Sequence, residues 1–150
     1  MLAILLALPA TVPAAQRGKK KEKTDVFGYY FPTGKVPKEL TEIDHLHLST
    51  IDERGKEAPL NGVLQLKGKG KAKGAELKLT KVKLTGTTLT FTTVVVKKVS
   101  YKFLGTFTKL GDFPNKPPTK GVILEGQLTR MEGKKKTFDG KVSFRYEPGG

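Results

Sequence analysis

The chain has 150 residues, a formal net charge of +14 and neither cysteine nor tryptophan. This length suits one domain with one hydrophobic core. The absence of cysteine excludes disulfides, so stability has to come from burial, and the charge excess indicates either anionic partners or a heavily solvated surface.

The first fifteen residues are typical of a secretory signal peptide. Leu2 to Leu8 form a short apolar run, and Val12 and Ala14 occupy the small-residue positions before a cleavage site. A membrane span needs about 20 apolar residues, so no transmembrane segment is expected in the mature protein. We therefore expect export to the periplasm, the cell surface or the medium. The expected organisation is a signal peptide at 1–15, a basic disordered tail at 16–24, a single β domain at 25–147 and a flexible carboxyl terminus at 148–150.

Beyond the tail, apolar residues alternate with lysine or threonine, which predicts β-strands with one buried face. The predicted strands are Val26 to Phe31, Ile43 to Ile51, Leu60 to Lys73, Ala75 to Leu84, Thr87 to Val96, Val99 to Lys109, Gly121 to Met131 and Thr137 to Tyr146. Residues 38–42 form at most one helical turn. Most joins are short, so neighbouring strands should be antiparallel.

An eight-strand meander either closes into an up-and-down barrel or folds into a two-sheet sandwich, and we favour the all-β closed barrel. Four glycines are predicted either to face inward, where they would let strands bend, or to mark a strand edge or an early turn; they are Gly68, Gly70, Gly105 and Gly126. A slip in the alternation between Leu79 and Val82 predicts a β-bulge. The one long connection, 110–120, contains three prolines and is expected to be an extended surface loop.

Alternation also predicts which side chains form the core. The expected inward residues are Leu64, Leu66, Leu89, Phe91, Tyr101, Phe103, Leu124, Leu128, Val142 and Phe144. Phe27, Tyr29 and Phe31 share one face, with Tyr30 on the other. Two hypotheses remain for the interior. In one, these three rings plug an end of the barrel or line a cavity with Phe91, Tyr101 and Phe103; in the other, the core is solidly packed.

A pattern of aromatic and glycine positions carries a resemblance. It consists of Leu89, Phe91, Tyr101, Phe103, Gly105, Leu124 and Gly126. Over residues 61–146 this pattern resembles small secreted bacterial β-domains of unknown function and, more distantly, calycin-like barrels. The resemblance implies a barrel and, for calycin-like proteins, a small apolar ligand. The chain has no tryptophan and so lacks the glycine-x-tryptophan motif of lipocalins.

No catalytic or cofactor motif is found. His45 and His47 lie two apart on a predicted strand, which is a metal-ligand spacing. Leu46 and Leu48 mark the opposite face as buried, so we expect both imidazoles to face solvent. We predict no enzyme activity and no cofactor, and a metal-dependent enzyme using the two histidines is the least favoured hypothesis.

Lysines dominate the polar positions. Lys67, Lys69, Lys71 and Lys73 are predicted to share a strand face, and Lys81 and Lys83 follow on the next strand. Two interpretations of these six lysines remain. They keep a strand-rich chain soluble and prevent edge-to-edge pairing, or they are the contact for an anionic polymer or envelope surface. Nucleic acid is disfavoured as a partner because arginines are few and no aromatic residues interleave with the lysines. The favoured function is thus an exported, non-enzymatic binding or scaffold domain, with a lipocalin-type carrier as the alternative.

Overall fold

The computed structural model describes residues 23–119 and 121–148. The expected signal peptide, most of the expected basic tail and the last two residues lie outside the described residues. Asp25 is the first buried residue of the described part.

Eight strands and one short 3-10 helix make up the described fold. In chain order they are β1 (Gly28–Thr33), η1 (Lys38–Leu40), β2 (Ile43–Ile51), β3 (Glu57–Leu66), β4 (Glu76–Thr85), β5 (Thr88–Thr93), β6 (Val99–Phe107), β7 (Leu124–Glu132) and β8 (Lys135–Glu147). Each strand pairs antiparallel with the next, and β1 pairs with β8, so the sheet closes. The predicted up-and-down barrel is confirmed, and the sandwich is excluded.

Period-two alternation decides which side chains fill the barrel, most clearly on β6. Tyr101, Phe103 and Phe107 are buried, while Lys102 and Leu104 between them are exposed. The ten predicted core residues follow the same rule: nine are buried, and Leu66 is partly buried against them. The inward faces were therefore predicted correctly on most strands.

Aromatic rings occupy the interior along its length. Phe91 stacks on Phe103 with centroids 5.2 Å apart, and Phe103 meets Phe144 edge-on at 6.0 Å. Further along the barrel, Phe107 contacts Tyr30 at 5.9 Å. These centroid distances are those of aromatic rings in contact, which indicates a packed core.

At two of the predicted inward glycines, β6 and β7 approach so closely that only glycine fits. Gly105 and Gly126 face each other across β6 and β7. A methyl group at Gly105 would collide with the Phe103 ring, and one at Gly126 would collide with the Leu104 carbonyl oxygen. Gly68 and Gly70 lie instead in the loop after β3, so their predicted inward position was wrong.

The predicted bulge on β4 is confirmed. The pairing of β4 with β5 shifts register between Thr80 and Lys83, and Lys81 has a positive φ of 48°. An extra residue at this point bends the strand, which a small barrel needs.

The faces of β1 are the reverse of those predicted. Tyr30 is buried and its hydroxyl donates to the Val26 carbonyl oxygen at 2.6 Å. Phe27, Tyr29 and Phe31 are therefore on the outside of the barrel, where each is half-buried. They do not line the interior with the rings of β5 and β6.

The long connection between β6 and β7 is only in part a surface loop. Phe113 is buried at the barrel end, where its ring lies 6.1 Å from Phe107. The Phe113 amide donates to the Asp25 carbonyl oxygen at 2.8 Å. The Asp25 amide donates to the Gly111 carbonyl oxygen at 2.9 Å. The loop thus closes one end of the barrel.

Candidate functional site

Alternate loops of an up-and-down barrel lie at the same end, because the chain reverses direction at each strand. The loops after β1, β3, β5 and β7 span 34–42, 67–75, 94–98 and 133–134. Together they carry nine lysines: Lys35, Lys38, Lys67, Lys69, Lys71, Lys73, Lys97, Lys98 and Lys134. Their acidic residues are Glu39 and Glu42. We call these four loops the lysine-rich end.

Among the described residues, the opposite end is close to charge balance. It is formed by residues 23–27 and by the loops 52–56, 86–87 and 108–123. Its described basic residues are Lys23, Arg54, Lys56, Lys109 and Lys116, and its described acidic residues are Asp25, Asp52, Glu53 and Asp112. The charge of the barrel is therefore polarised along its axis.

The nine lysines are exposed, and none forms an ion pair with another described residue. At the opposite end, by contrast, Lys23 lies 3.9 Å from Asp25 and Arg54 lies 3.4 Å from Asp52. A cluster of unpaired ammonium groups generates a positive potential that attracts anions.

One turn of the lysine-rich end adopts a conformation that lysine disfavours. Lys97 and Lys98 have φ values of 49° and 68°, and they connect Val96 and Val99, which exchange two backbone hydrogen bonds of 3.0 Å. Positive φ at both central residues defines a type I′ turn, in which asparagine and glycine predominate. Left-handed backbone costs a residue with a Cβ about 1–2 kcal/mol. Strain of this kind is concentrated at functional positions.

Backbone hydrogen bonds tie the four loops together in pairs. The Gly133 amide donates to the Lys98 carbonyl oxygen at 2.7 Å, and the Lys67 amide donates to the Glu42 carbonyl oxygen at 2.7 Å. The lysine side chains thus extend from a backbone that is fixed at these points.

A partly buried polar cluster lies beside the loops. Glu42 accepts hydrogen bonds from Arg130 Nε at 2.6 Å and from the Tyr101 hydroxyl. Arg130 Nη1 also donates to Thr137 Oγ1 at 2.9 Å. Burial, and secondarily Glu42, raises the pKa of Tyr101, so the phenol stays protonated. For Arg130, burial opposes the charge, but hydrogen bonding to Glu42 outweighs it and the pKa is raised.

The six predicted contact lysines are divided between two regions. Lys67, Lys69, Lys71 and Lys73 lie in the loop 67–75, because β3 ends at Leu66, so their predicted strand face was wrong. The other two lie on the barrel wall: Lys81 is at the β4 bulge, and Lys83 is further along the same strand.

The two histidines lie on the outer face, opposite Leu46 and Leu48, as predicted, but they do not face solvent freely. Aromatic rings from the start of the barrel cover both imidazoles, and His47 Nε2 is buried without a hydrogen-bond partner among the described residues. His45 Nδ1 is 2.7 Å from Asp44 Oδ2, and the His47 ring stacks on Tyr29 with centroids 4.5 Å apart. Burial, and secondarily the charge of His45, lowers the pKa of His47. In the described part of the chain, no group of three or more His, Cys, Asp or Glu side chains is placed to hold a metal ion.

Sequence reasoning missed how the lysines converge. Lys35, Lys38, Lys97, Lys98 and Lys134 are scattered over about a hundred positions and become neighbours only through the barrel topology. The available signal was that three predicted joins on this side of the meander, 32–42, 97–98 and 132–136, contain lysines. The fourth was hidden because Lys67 to Lys73 were predicted to continue a strand. The pairing of Glu42 with Arg130, 88 residues apart, left no such signal.

Comparison of the chain with protein-family models, with curated proteins and with solved structures found no match. Helical structure in the described residues is too short and too polar to cross a membrane.

Proposed function

We propose that this protein is a non-enzymatic binding or scaffold domain that holds anionic polymers or anionic surfaces at the lysine-rich end of its barrel. The observation that carries the proposal is the convergence of nine exposed lysines, unpaired within the described structure, at one end. Lysines at both strained positions of the 97–98 turn support it, because asparagine and glycine would be more stable there.

The residue types favour charge recognition over sequence readout. The four loops contain no arginine and no aromatic residue. Bidentate contacts to bases and stacking on bases need those side chains, so a nucleic acid is a poorer partner than an anionic glycan or envelope surface. Lysine acts as a mobile point charge, and its attraction is screened over about 8 Å at physiological ionic strength.

The interior gives little support to the carrier hypothesis. The rings that would line a cavity, Phe91, Tyr101 and Phe103, are buried, and two of them stack on each other. A ligand between them would have to displace packed aromatic surface. The outer surface therefore suits binding better than the inside.

Export is part of the proposal and rests on the sequence of residues 1–15. We expect the mature chain to begin at Ala15 or Gln16 outside the cytoplasm. Intact-mass measurement of protein from its native host tests this, and a cytoplasmic species that retains residues 1–14 would contradict it.

Binding to an anionic polysaccharide and to anionic vesicles tests the function. Replacing Lys67, Lys69, Lys71 and Lys73 together with glutamine should weaken binding at low salt while leaving the melting temperature nearly unchanged. A matched variant removes the same number of charges from exposed lysines elsewhere, namely Lys56, Lys78, Lys102 and Lys141. It should bind more tightly than the loop variant. Equal weakening in both would show that only net charge matters, and no salt-sensitive binding by the wild type would refute the proposal.

A further inference from the structure

A small cleft opens on the barrel wall beside the lysine-rich end. It has a volume of about 240 Å³ and lies between β1, the start of β2 and β8. Its lining includes Phe31, Val36, Thr41, Ile43, Lys67 and Arg145. Apolar groups, two cations and the carboxylate of Asp44 therefore share one depression, next to the lysine-rich loops.

Strand register and one loop hydrogen bond position the two cations. Phe31 pairs with Arg145 across β1 and β8, and the guanidinium carbon lies 5.0 Å from the Phe31 ring centroid. Lys67 is held at the start of β2 by the hydrogen bond from its amide to the Glu42 carbonyl oxygen. Arg145 Nη1 donates to Glu147, which orients the guanidinium on the wall. A bound carboxylate would therefore use the Nε and Nη2 edge, where no described residue accepts a hydrogen bond.

The chemistry of the lining suits a ring that has both apolar and polar faces. Ile43 is buried, Val36 and Phe31 are half-buried, and together they form an apolar side. Asp44, a further lining residue, offers carboxylate oxygens that can accept from hydroxyl groups, although one of them contacts His45. A guanidinium binds a carboxylate through two parallel hydrogen bonds, which lysine cannot do.

Size limits the occupant to one unit of a polymer. The cleft is smaller than the roughly 300–1,000 Å³ of pockets that enclose drug-sized ligands. A polyphosphate unit would leave the apolar side without a partner, and a lipid chain would leave the polar groups without one.

We propose that this cleft binds one carboxylated sugar unit of an acidic polysaccharide, with the carboxylate on Arg145 and the ring against Val36 and Phe31. This inference rests on the proposed function, because the lysine-rich end would hold the rest of the same chain. The partner of the lysine-rich end would then be an acidic polysaccharide.

The test uses the conservative substitution Arg145→Lys, which keeps the charge and removes the planar fork. Its matched control is Arg54→Lys, at the exposed arginine of the opposite end. Affinity is measured by calorimetry for an oligogalacturonate and for a polyphosphate of equal charge. Arg145→Lys should bind the oligogalacturonate about tenfold more weakly, the size of one charge-assisted hydrogen bond, and the polyphosphate unchanged. Arg54→Lys should change neither affinity.

The possible results distinguish binding in the cleft from binding at the lysine-rich end. If Arg145→Lys binds the oligogalacturonate as wild type does, or weakens toward both polymers equally, the cleft proposal is overturned while charge binding stands. Wild-type protein that binds the oligogalacturonate but not the polyphosphate would support the cleft and refute charge-only binding. Failure to bind either polymer would overturn both.

Discussion

Arg130 Nε lies 2.6 Å from Glu42 Oε1, joining β7 to the loop before β2 beside the lysine-rich end. The Arg130 side chain is mostly buried, and its positive charge is paired with the Glu42 carboxylate rather than exposed to a partner. Tyr101 donates to the same carboxylate oxygen. The positive charge of Arg130 is therefore paired within the protein, with Glu42 and also with Glu132 at 3.5 Å, while the lysines around it form no ion pair within the described structure.

Replacing Glu42 with glutamine should destabilise the protein by about 1–2 kcal/mol, because Arg130 loses a charged acceptor that is itself partly exposed. Urea denaturation measures the change. The control Glu39→Gln removes an exposed carboxylate nearby and should shift stability by less than about 0.5 kcal/mol. Equal effects of the two substitutions would show that the cluster does not stabilise this end.

Two neighbours on β6 test the assignment of inner and outer faces. Phe103 is 1% exposed and Leu104 is 56% exposed. Phe103→Ala should cost about 3–5 kcal/mol because it leaves a cavity in the core. Leu104→Ala should cost less than about 1 kcal/mol, since little buried surface is lost. A larger loss at Leu104 in chemical denaturation would reverse the assigned faces.

The strained turn predicts opposite effects on stability and binding. Changing Lys97 to asparagine and Lys98 to glycine should raise stability by about 1 kcal/mol, because both residues then suit positive φ. The same change removes two cations and should weaken binding to an anionic polysaccharide. Thermal unfolding and a binding titration check the two effects. A variant that is less stable than wild type would contradict the proposed strain.

The lowered pKa of His47 leads us to expect that stability depends on pH. Burial lowers its folded pKa below the ordinary value of 6.5, so near that pH the unfolded chain binds more protons. Stability from this group is complete above about pH 6.5 and falls as the pH drops toward the folded pKa. Denaturation of wild type and His47→Gln should show a steeper loss for wild type below about pH 6.5. Parallel curves would mean that His47 does not contribute.

Most of the fold could be predicted because apolar side chains mark the inner face of each strand. β2 was predicted with its observed bounds, Ile43–Ile51, since Leu46 and Leu48 alternate with the two histidines. The bulge at Lys81 was visible as a slip in the same pattern. Closure followed from eight strands with short joins.

The errors arose where alternation gives no indication of burial. Lysines 67 to 73 alternate with glycine and alanine, and such a segment has no large apolar side chain to hold it in a sheet. It forms a loop. In β1, aromatic residues occupy both faces, and alternation separates Tyr29 from Tyr30 without saying which is inside. Pairing of Tyr30 with Leu46 and Tyr146 on the neighbouring strands decides this, and such long-range contacts are not visible in the sequence.

The salt dependence of binding to an anionic polysaccharide tests the central claim most directly. The logarithm of the binding constant is measured against the logarithm of salt concentration for three proteins. They are the wild type, the loop variant at Lys67, Lys69, Lys71 and Lys73, and the control variant at Lys56, Lys78, Lys102 and Lys141, which all lie away from the lysine-rich end. Each lysine that contacts the polymer should contribute up to about one unit of slope. We predict a clearly shallower slope for the loop variant and a nearly unchanged slope for the control variant. Equal slopes in the two variants would contradict binding at the lysine-rich end.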